Sequence, residues 1–309
     1  MVAGPTDRGL STGLNDSLLV VARMSEEPRG SGASTAFVPG HVTGFFSPCP
    51  DDDPARAGSR GAGLTLTDGV EVTVRQTEGD APTVSLDGDP IAMPPVEAVL
   101  DGLDVTDRAR VVAESDLPLG TGFGVSGAMA LGTALAANAR FDCARSANDL
   151  VTLAHRAEVE AGTGLGDVVA QARGGVPIRI DPGAPPYGRL DGVPETRRVE
   201  YVTFGDLSTA EVLAGDTDPL VAAGDAALSR LVDRPTLATL AAESRRFAHD
   251  AGLLTDRVRE AVDAVVDGGG EASMAMLGET VFALDSGLTD AGFDAEACRT
   301  CAAGAHLRG

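Results

Sequence analysis

No lysine occurs anywhere in the chain: all 24 basic residues are arginine. A Walker-type phosphate loop, Gly-x-x-x-x-Gly-Lys-Ser/Thr, is thereby excluded, because its lysine reaches the β- and γ-phosphates. Tryptophan is missing too, and Tyr and Phe number only 2 and 9, so Ala, Val and Leu must fill the core. No run of about eighteen apolar residues exists, which excludes a membrane-spanning helix. Positive charge is scarce: 24 basic against 46 acidic residues leave a formal net charge of −22. Nucleic acid needs a basic footprint and an anionic membrane attracts one, so neither is expected as a partner. The acids are spread along the chain, and a cytosol of very high salt, as in a halophilic archaeon, best relieves their mutual repulsion. Cysteine is sparse. Cys49, Cys143, Cys298 and Cys301 follow no secretory leader, so thiols in a reducing cytoplasm are expected. Cys298-x-x-Cys301, with His306 nearby, is a single pair where a metal site needs further ligands, so it reads as two ordinary thiols.

Glycine, by contrast, is abundant, with 39 residues, and it gathers at one stretch. An apolar, strand-like run from Ala109 to Ala113 is followed by Asp116-Leu-Pro-Leu-Gly-Thr-Gly-Phe-Gly-Val-Ser-Gly-Ala-Met-Ala-Leu131. Ala128 to Arg140 then carries almost no polar residue and reads as a buried helix. Between them sit Gly120, Gly122, Gly124 and Gly127. Strand, glycine loop and helix N-terminus together form an anion site, because free N–H groups and the helix dipole both face the ligand. Phosphate is the expected guest. Gly122-x-Gly124-x-x-Gly127 also matches a dinucleotide fingerprint, with Asp142 or Asp149 where a ribose-binding acid falls. That fingerprint normally opens the first βαβ unit, whereas about a hundred residues precede this one.

The chain's length permits one large domain or two ordinary ones. Residues 1–33, rich in Gly, Ser, Arg and Glu, read as a disordered extension. Thr35 to Val38 reads as a strand, and two alternating runs around Thr67-Asp-Gly69 read as a hairpin. A further strand and turn are read at Thr83 to Gly88, and a short helix from Pro94. Ser146 is placed to cap a helix running to about Ala161, on which His155 and Glu158 share a face. Asp167, after the glycine turn Gly162-Thr-Gly-Leu-Gly166, reads either as a helix cap or as a catalytic carboxylate. Arg179 lies on a short apolar strand, where it is either an edge residue with a solvated head or a bidentate clamp for a carboxylate. A Pro/Gly-rich loop from Asp181 to Pro194 is the expected domain boundary. Beyond it come a strand at Val199 to Phe204, a short helix after Ser208 and Thr209, and three amphipathic helices between Asp218 and Val266.

Pro118-x-Gly120-x-Gly122-Phe123-Gly124-Val125-Ser126-Gly127-Ala128 resembles the phosphate loop of the GHMP kinases, the superfamily of galactokinase, homoserine kinase and mevalonate kinase. Pro39-Gly-His-Val-Thr-Gly-Phe-Phe46 is similar to the pantoate kinase branch of that superfamily. The resemblance spans about residues 35–285. It implies an α+β fold of two domains: residues 34–185 resembling ribosomal protein S5 domain 2, and residues 186–309 ferredoxin-like. Relatives are often dimers, so a homodimer is implied as well. ATP and Mg²⁺ are the implied cofactors. The implied ATP contacts are Pro118, Gly120, Gly122, Phe123, Gly124, Val125, Ser126, Gly127 and Ala128. Ser126 and Glu158 are the implied metal ligands, with Glu160 in reserve, and Asp167 the implied base. His41 fills a slot where many relatives carry Lys or Arg. His41, Ser47, His155, Arg179 and Thr209 are the expected substrate contacts. Ala272 to Ala283 stands where the third family motif falls, with Gly278 alone of its usual glycines. The implied reaction is ATP-dependent phosphorylation of pantoate to 4-phosphopantoate. Another small alcohol, such as mevalonate or homoserine, is the alternative acceptor. A nucleotide-dependent dehydrogenase and a non-catalytic nucleotide sensor are the alternatives from other classes. The pairing of Glu158 with Asp167 argues against a sensor, which needs no base.

Overall fold

The first long strand, β1 (Ala33–Cys49), runs antiparallel to β2 (Gly58–Gln76) along almost its whole length. The computed structural model describes Met1 and residues 32–77, 84–206, 217–276 and 278–309. Nearly all of the expected N-terminal extension, and Ser208 and Thr209, lie outside the described residues. The hairpin expected at Thr67-Asp-Gly69 is not formed; β2 continues straight through. Pairing jumps from Pro39↔Gly69 to His41↔Thr65, so Gly40 alone faces Leu66, Thr67 and Asp68 in a bulge. Long-range partners override the local turn signal. Leu66 bridges to Thr300, and the Tyr201 hydroxyl donates to Asp68 at 3.0 Å. A second bulge lies between Thr43 and Phe45. Bulges re-aim side chains, and these two flank the stretch carrying His41 and Thr43.

β5 (Ala109–Ser115) lies beside β2, β3 (Val84–Leu86) runs parallel to β5, and β4 (Asp89–Pro90) forms the edge. The expected turn is present at Asp87-Gly88, both with positive φ. β6 (Val176–Asp181) joins β2 to β7 (Arg189–Val193), and β12 (His306–Leu307) closes the other edge on β1. Four helices pack here: α1 (Pro94–Gly102), α2 (Val125–Phe141), α3 (Ala147–Ala161) and α4 (Asp167–Arg173). α2 lies across β1 and β2, with α1, α3 and α4 packed around it. It is buried almost all round, as its composition dictates, and Leu131 is fully enclosed. Truncating such a side chain to Ala costs about 2–5 kcal/mol.

The second sheet holds β8 (Arg198–Asp206), β9 (Ala272–Ala275), β10 (Gly278–Leu284) and β11 (Glu296–Arg299), in the order β11-β8-β10-β9 and all antiparallel. α5 (Asp218–Asp233), α6 (Leu237–Asp250) and α7 (Asp256–Asp267) connect β8 to β9, and α8 (Gly287–Asp290) connects β10 to β11. Numbered by chain order this is 4-1-3-2, the ferredoxin-like arrangement. Thr236 and Thr255 cap α6 and α7 through their side chains, supplying an acceptor to otherwise unpaired amides. The α+β class expected from sequence is the class observed. Among the described residues no helix is long and apolar enough to cross a membrane.

Candidate active site

Between β5 and α2 the chain turns through Gly120, Gly122 and Gly124, with φ of 83°, 94° and 65°. Side chains resist that region, so glycine is required. Gly124 is the left-handed N-cap of α2, which begins at Val125, earlier than the expected Ala128. No side chain caps this first turn. Its unpaired N–H groups and the positive end of the dipole therefore form an anion site. The loop lies close against the β9–β10 hairpin. A Cβ at Gly122 would stand 3.1 Å from the Met276 carbonyl oxygen. Thr280 Oγ1 donates to the Thr121 carbonyl at 2.8 Å. The segment expected as the third motif thus touches the loop through backbone and a threonine.

Ser126 Oγ, in the first turn of α2, donates to Glu158 Oε1 on α3 at 2.5 Å. A capping box at Ser146 and Asp149 fixes the start of α3. Glu158 is 2% exposed. Burial pushes its pKa up to about 7; hydrogen bonds from Ser126 and Thr163 offset part of this, while the charge of Asp167 adds to it. Glu160 points to solvent instead, 3.6 Å from Arg156.

Asp167 is the first residue of α4; Gly166 holds the cap position. Its side chain turns to His41, whose Nδ1 is 2.7 Å from Oδ1. His41 is fully buried, and burial holds its pKa below the usual imidazole value despite Asp167. Burial alone would raise the pKa of Asp167. The hydrogen bond and charge of its histidine partner and the charge of Arg179 outweigh burial and hold it below the usual carboxylate range. At neutral pH the pair is a carboxylate and a neutral imidazole that donates from Nδ1. Nε2 is then an acceptor, buried and without a partner. Thr43 Oγ1 stands 3.5 Å from both His41 Nδ1 and Asp167 Oδ1.

Arg179, on β6, is 2% exposed, so the solvated edge reading does not hold. One guanidinium nitrogen donates to Ser59 Oγ at 3.3 Å. Nε and Nη1 are buried without partners. A buried cation with two nitrogens left without partners is expensive to keep.

These groups meet in one cleft of about 550 Å³. Gly120, Gly122, Gly124, Val125 and Ser126 line it together with Glu158, Asp167 and Arg179. Several expected contacts do not line it. Pro118 borders a separate depression with Asp68 and Asp116. The Phe123 ring is buried edge-on against Tyr201, centroids 4.9 Å apart. Gly127 and Ala128 are buried in α2. His41 stands behind Asp167. Ser47 is buried and donates to Asp225 at 2.7 Å, the same oxygen that Arg60 reaches at 2.6 Å. His155 is buried with Nε2 2.9 Å from the Ala57 carbonyl, and burial lowers its pKa. For these three the sequence supplies polarity, but packing turns that polarity inward.

The family model "GHMP kinases N terminal domain" matches residues 95–175, which hold the loop, Ser126, Glu158 and Asp167. A pantoate kinase of Thermococcus kodakarensis is 37% identical over 265 residues, covering 81% of this chain and 86% of that protein. A pantoate kinase of Methanospirillum hungatei is 34% identical over 258 residues, with the same coverage of 81% and 86%. A solved structure described as a phosphotransferase related to the CoA biosynthesis pathway superposes with a TM-score of 0.81 at 30% identity, covering 89% of this chain and 98% of that one. The chain belongs to the pantoate kinase family of GHMP kinases.

In this pantoate kinase family member, sequence reading missed Thr43, Ser59 and Thr163, which also line the cleft. Thr43 was legible in principle, two residues after His41 in the Pro-Gly-His run. Ser59 carried no local signal. Its place follows from the pairing of Gly61 with Arg179 across β2 and β6, a contact between residues far apart in the chain.

Proposed function

We propose that the chain transfers the γ-phosphoryl group of ATP to the primary hydroxyl of pantoate, giving 4-phosphopantoate for coenzyme A biosynthesis. One observation carries the residue roles: a half-buried carboxylate, Asp167, and a buried arginine with unspent donors, Arg179, share a cleft with the open first turn of α2. Phosphoryl transfer needs positioning and charge neutralisation more than covalent help. The amides of Gly120 to Gly127 hold the nucleotide phosphates. Arg179, which lines the cleft, receives the acceptor's carboxylate. That places the far hydroxyl at Asp167, whose Oδ1 is engaged by His41, so Oδ2 takes the proton. The acceptor oxygen bonds to the γ-phosphorus, the bond to the β-bridging oxygen breaks, and ADP leaves. General-base help of this kind is worth about 10²–10⁴-fold.

Ser126 Oγ and the Glu158 carboxylate suit a magnesium ion. Both are hard oxygen donors, and a carboxylate whose pKa lies near 7 has no cation of its own. Among the described residues no group of three His, Cys, Asp or Glu could hold a metal alone. Magnesium commonly rests on one or two protein oxygens plus phosphate oxygens and water. Bound there, it would neutralise charge on the phosphates.

The test is ADP release with ATP, Mg²⁺ and pantoate at high KCl, against mevalonate and homoserine. Turnover with pantoate alone is expected. Turnover with another alcohol instead would overturn the acceptor assignment.

A further inference from the structure

α4 presents a second polar side chain to the phosphate loop, one turn after Asp167. Gln171 is fully buried, and its Nε2 donates to the Gly124 carbonyl oxygen at 2.9 Å. Gly124 is the residue whose left-handed conformation opens α2, so the orientation of its peptide sets the direction of the first-turn N–H groups. The approach is close. A Cβ on Gly124 would stand 3.1 Å from Gln171 Nε2 and 3.2 Å from Asp167 Cβ, and one on Gly127 3.3 Å from Gln171 Oε1. From the other side, the Gln171 backbone carbonyl accepts from Ala305 N at 2.9 Å, which steadies α4.

Stability does not account for this side chain. The Gly124 carbonyl already accepts the helical bond from Ala128 N at 2.9 Å, so it would be satisfied without Gln171. Gln171 Oε1 is buried with no partner. An amide with one orphaned oxygen weighs against folding, and an apolar side chain of like shape would serve the core as well or better.

We propose that Gln171 is a positioning residue for phosphoryl transfer. It ties the residue that opens α2 to the helix that carries Asp167, and so holds the phosphate-binding amides in register with the base. This rests on the nucleotide reading of the loop and not on the identity of the acceptor.

The test compares Gln171→Met and Gln171→Glu with the wild-type full chain. Three quantities are measured: melting temperature without nucleotide, calorimetric affinity for ATP with Mg²⁺ and no acceptor, and kcat. For Gln171→Met, the expected result is an unchanged or raised melting temperature with ATP affinity about five- to tenfold weaker. Gln171→Glu sets a carboxylate against the Gly124 carbonyl and is expected to bind ATP more weakly still. Native ATP affinity and kcat in Gln171→Met would overturn the proposal. So would an affinity loss accompanied by a matching fall in melting temperature, since that is a purely structural residue. The binding measurement needs no acceptor, so it decides the role of Gln171 even if pantoate fails as substrate.

Discussion

The two sides of the cleft are built from different materials. The side proposed for the nucleotide is largely backbone: a left-handed glycine, the open first turn of α2 and a hairpin laid against it. The side proposed for the acceptor is made of side chains, with Thr43 from β1, Ser59 from β2, Asp167 from α4 and Arg179 from β6. Backbone donors are the same in every residue, so the first side specifies shape and charge and suits the part of the substrate that every kinase shares. Side chains differ in reach and charge, so the second side specifies which acceptor is used. The comparison predicts that substitutions on the acceptor side change acceptor parameters while leaving ATP binding in place.

The largest effect is expected at Asp167, where the two sides meet. Asp167→Asn keeps an oxygen for the His41 Nδ1–H bond, so fold and ATP affinity should hold. Loss of the base should lower kcat by about 10²–10⁴-fold. Single-turnover phosphoryl transfer together with ATP titration checks this. A variant that keeps its rate would reduce Asp167 to an acceptor-orienting group.

Glu158 sharpens the comparison through pH. Its folded pKa of about 7 lies above the ordinary 4.5. Between those values the folded protein holds a proton that the unfolded chain has lost, so stability falls as pH rises through this window and is flat above it. Glu158→Gln removes the ionisation. It should match wild type near pH 4.5 and exceed it by on the order of 3 kcal/mol above pH 7 in metal-free buffer, while losing activity. Denaturant melts of both proteins at the two pH values test this. Equal stability at high pH would mean that the Glu158 charge is solvated or paired.

These two residues also show how far the sequence can be read. The strand, glycine loop and helix at Ala109 to Phe141 lie within a short span, and so do Glu158 and Asp167 around one glycine turn. Local patterning is enough to assemble them. His41, Ser47 and His155 were expected to face the substrate; all three are buried and none lines the cleft. Their polarity is visible in sequence, but the direction of His41 and Ser47 on β1 depends on two bulges set by the partner strand, and His155 on α3 is turned to the distant Ala57 carbonyl. The false hairpin at Thr67-Asp-Gly69 has the same cause. Its local turn signal is genuine, and pairing with β1 and the bridge from Leu66 to Thr300 outweigh it.

Arg179 tests the acceptor side directly. Arg179→Met removes a charged donor set and keeps the volume of the stem. Charge-assisted hydrogen bonds of this kind are worth about 1.5–3 kcal/mol, so the KM for pantoate should rise about 10- to 100-fold. The KM for ATP should stay within about twofold of wild type. Initial-rate measurements with each substrate varied in turn separate the two parameters. If both KM values rise together, the cleft does not divide as described.

The smallest effect, and the sharpest check of the division, is expected at Ser59. Its hydroxyl accepts from Arg179 at 3.3 Å and donates to the Leu165 carbonyl at 3.4 Å. Both bonds are long and therefore weak, yet they are the only link holding the guanidinium toward the cleft among the described hydrogen bonds. Ser59→Ala should free that group and raise the KM for pantoate about threefold, with kcat unchanged. A small change in one variant proves little, so the decisive measurement is a double-mutant cycle. If Ser59 acts through Arg179, Ser59→Ala has no further effect once Arg179 is Met, because the group it orients is gone. Additive losses in the double variant would show that Ser59 touches the acceptor itself rather than acting through Arg179.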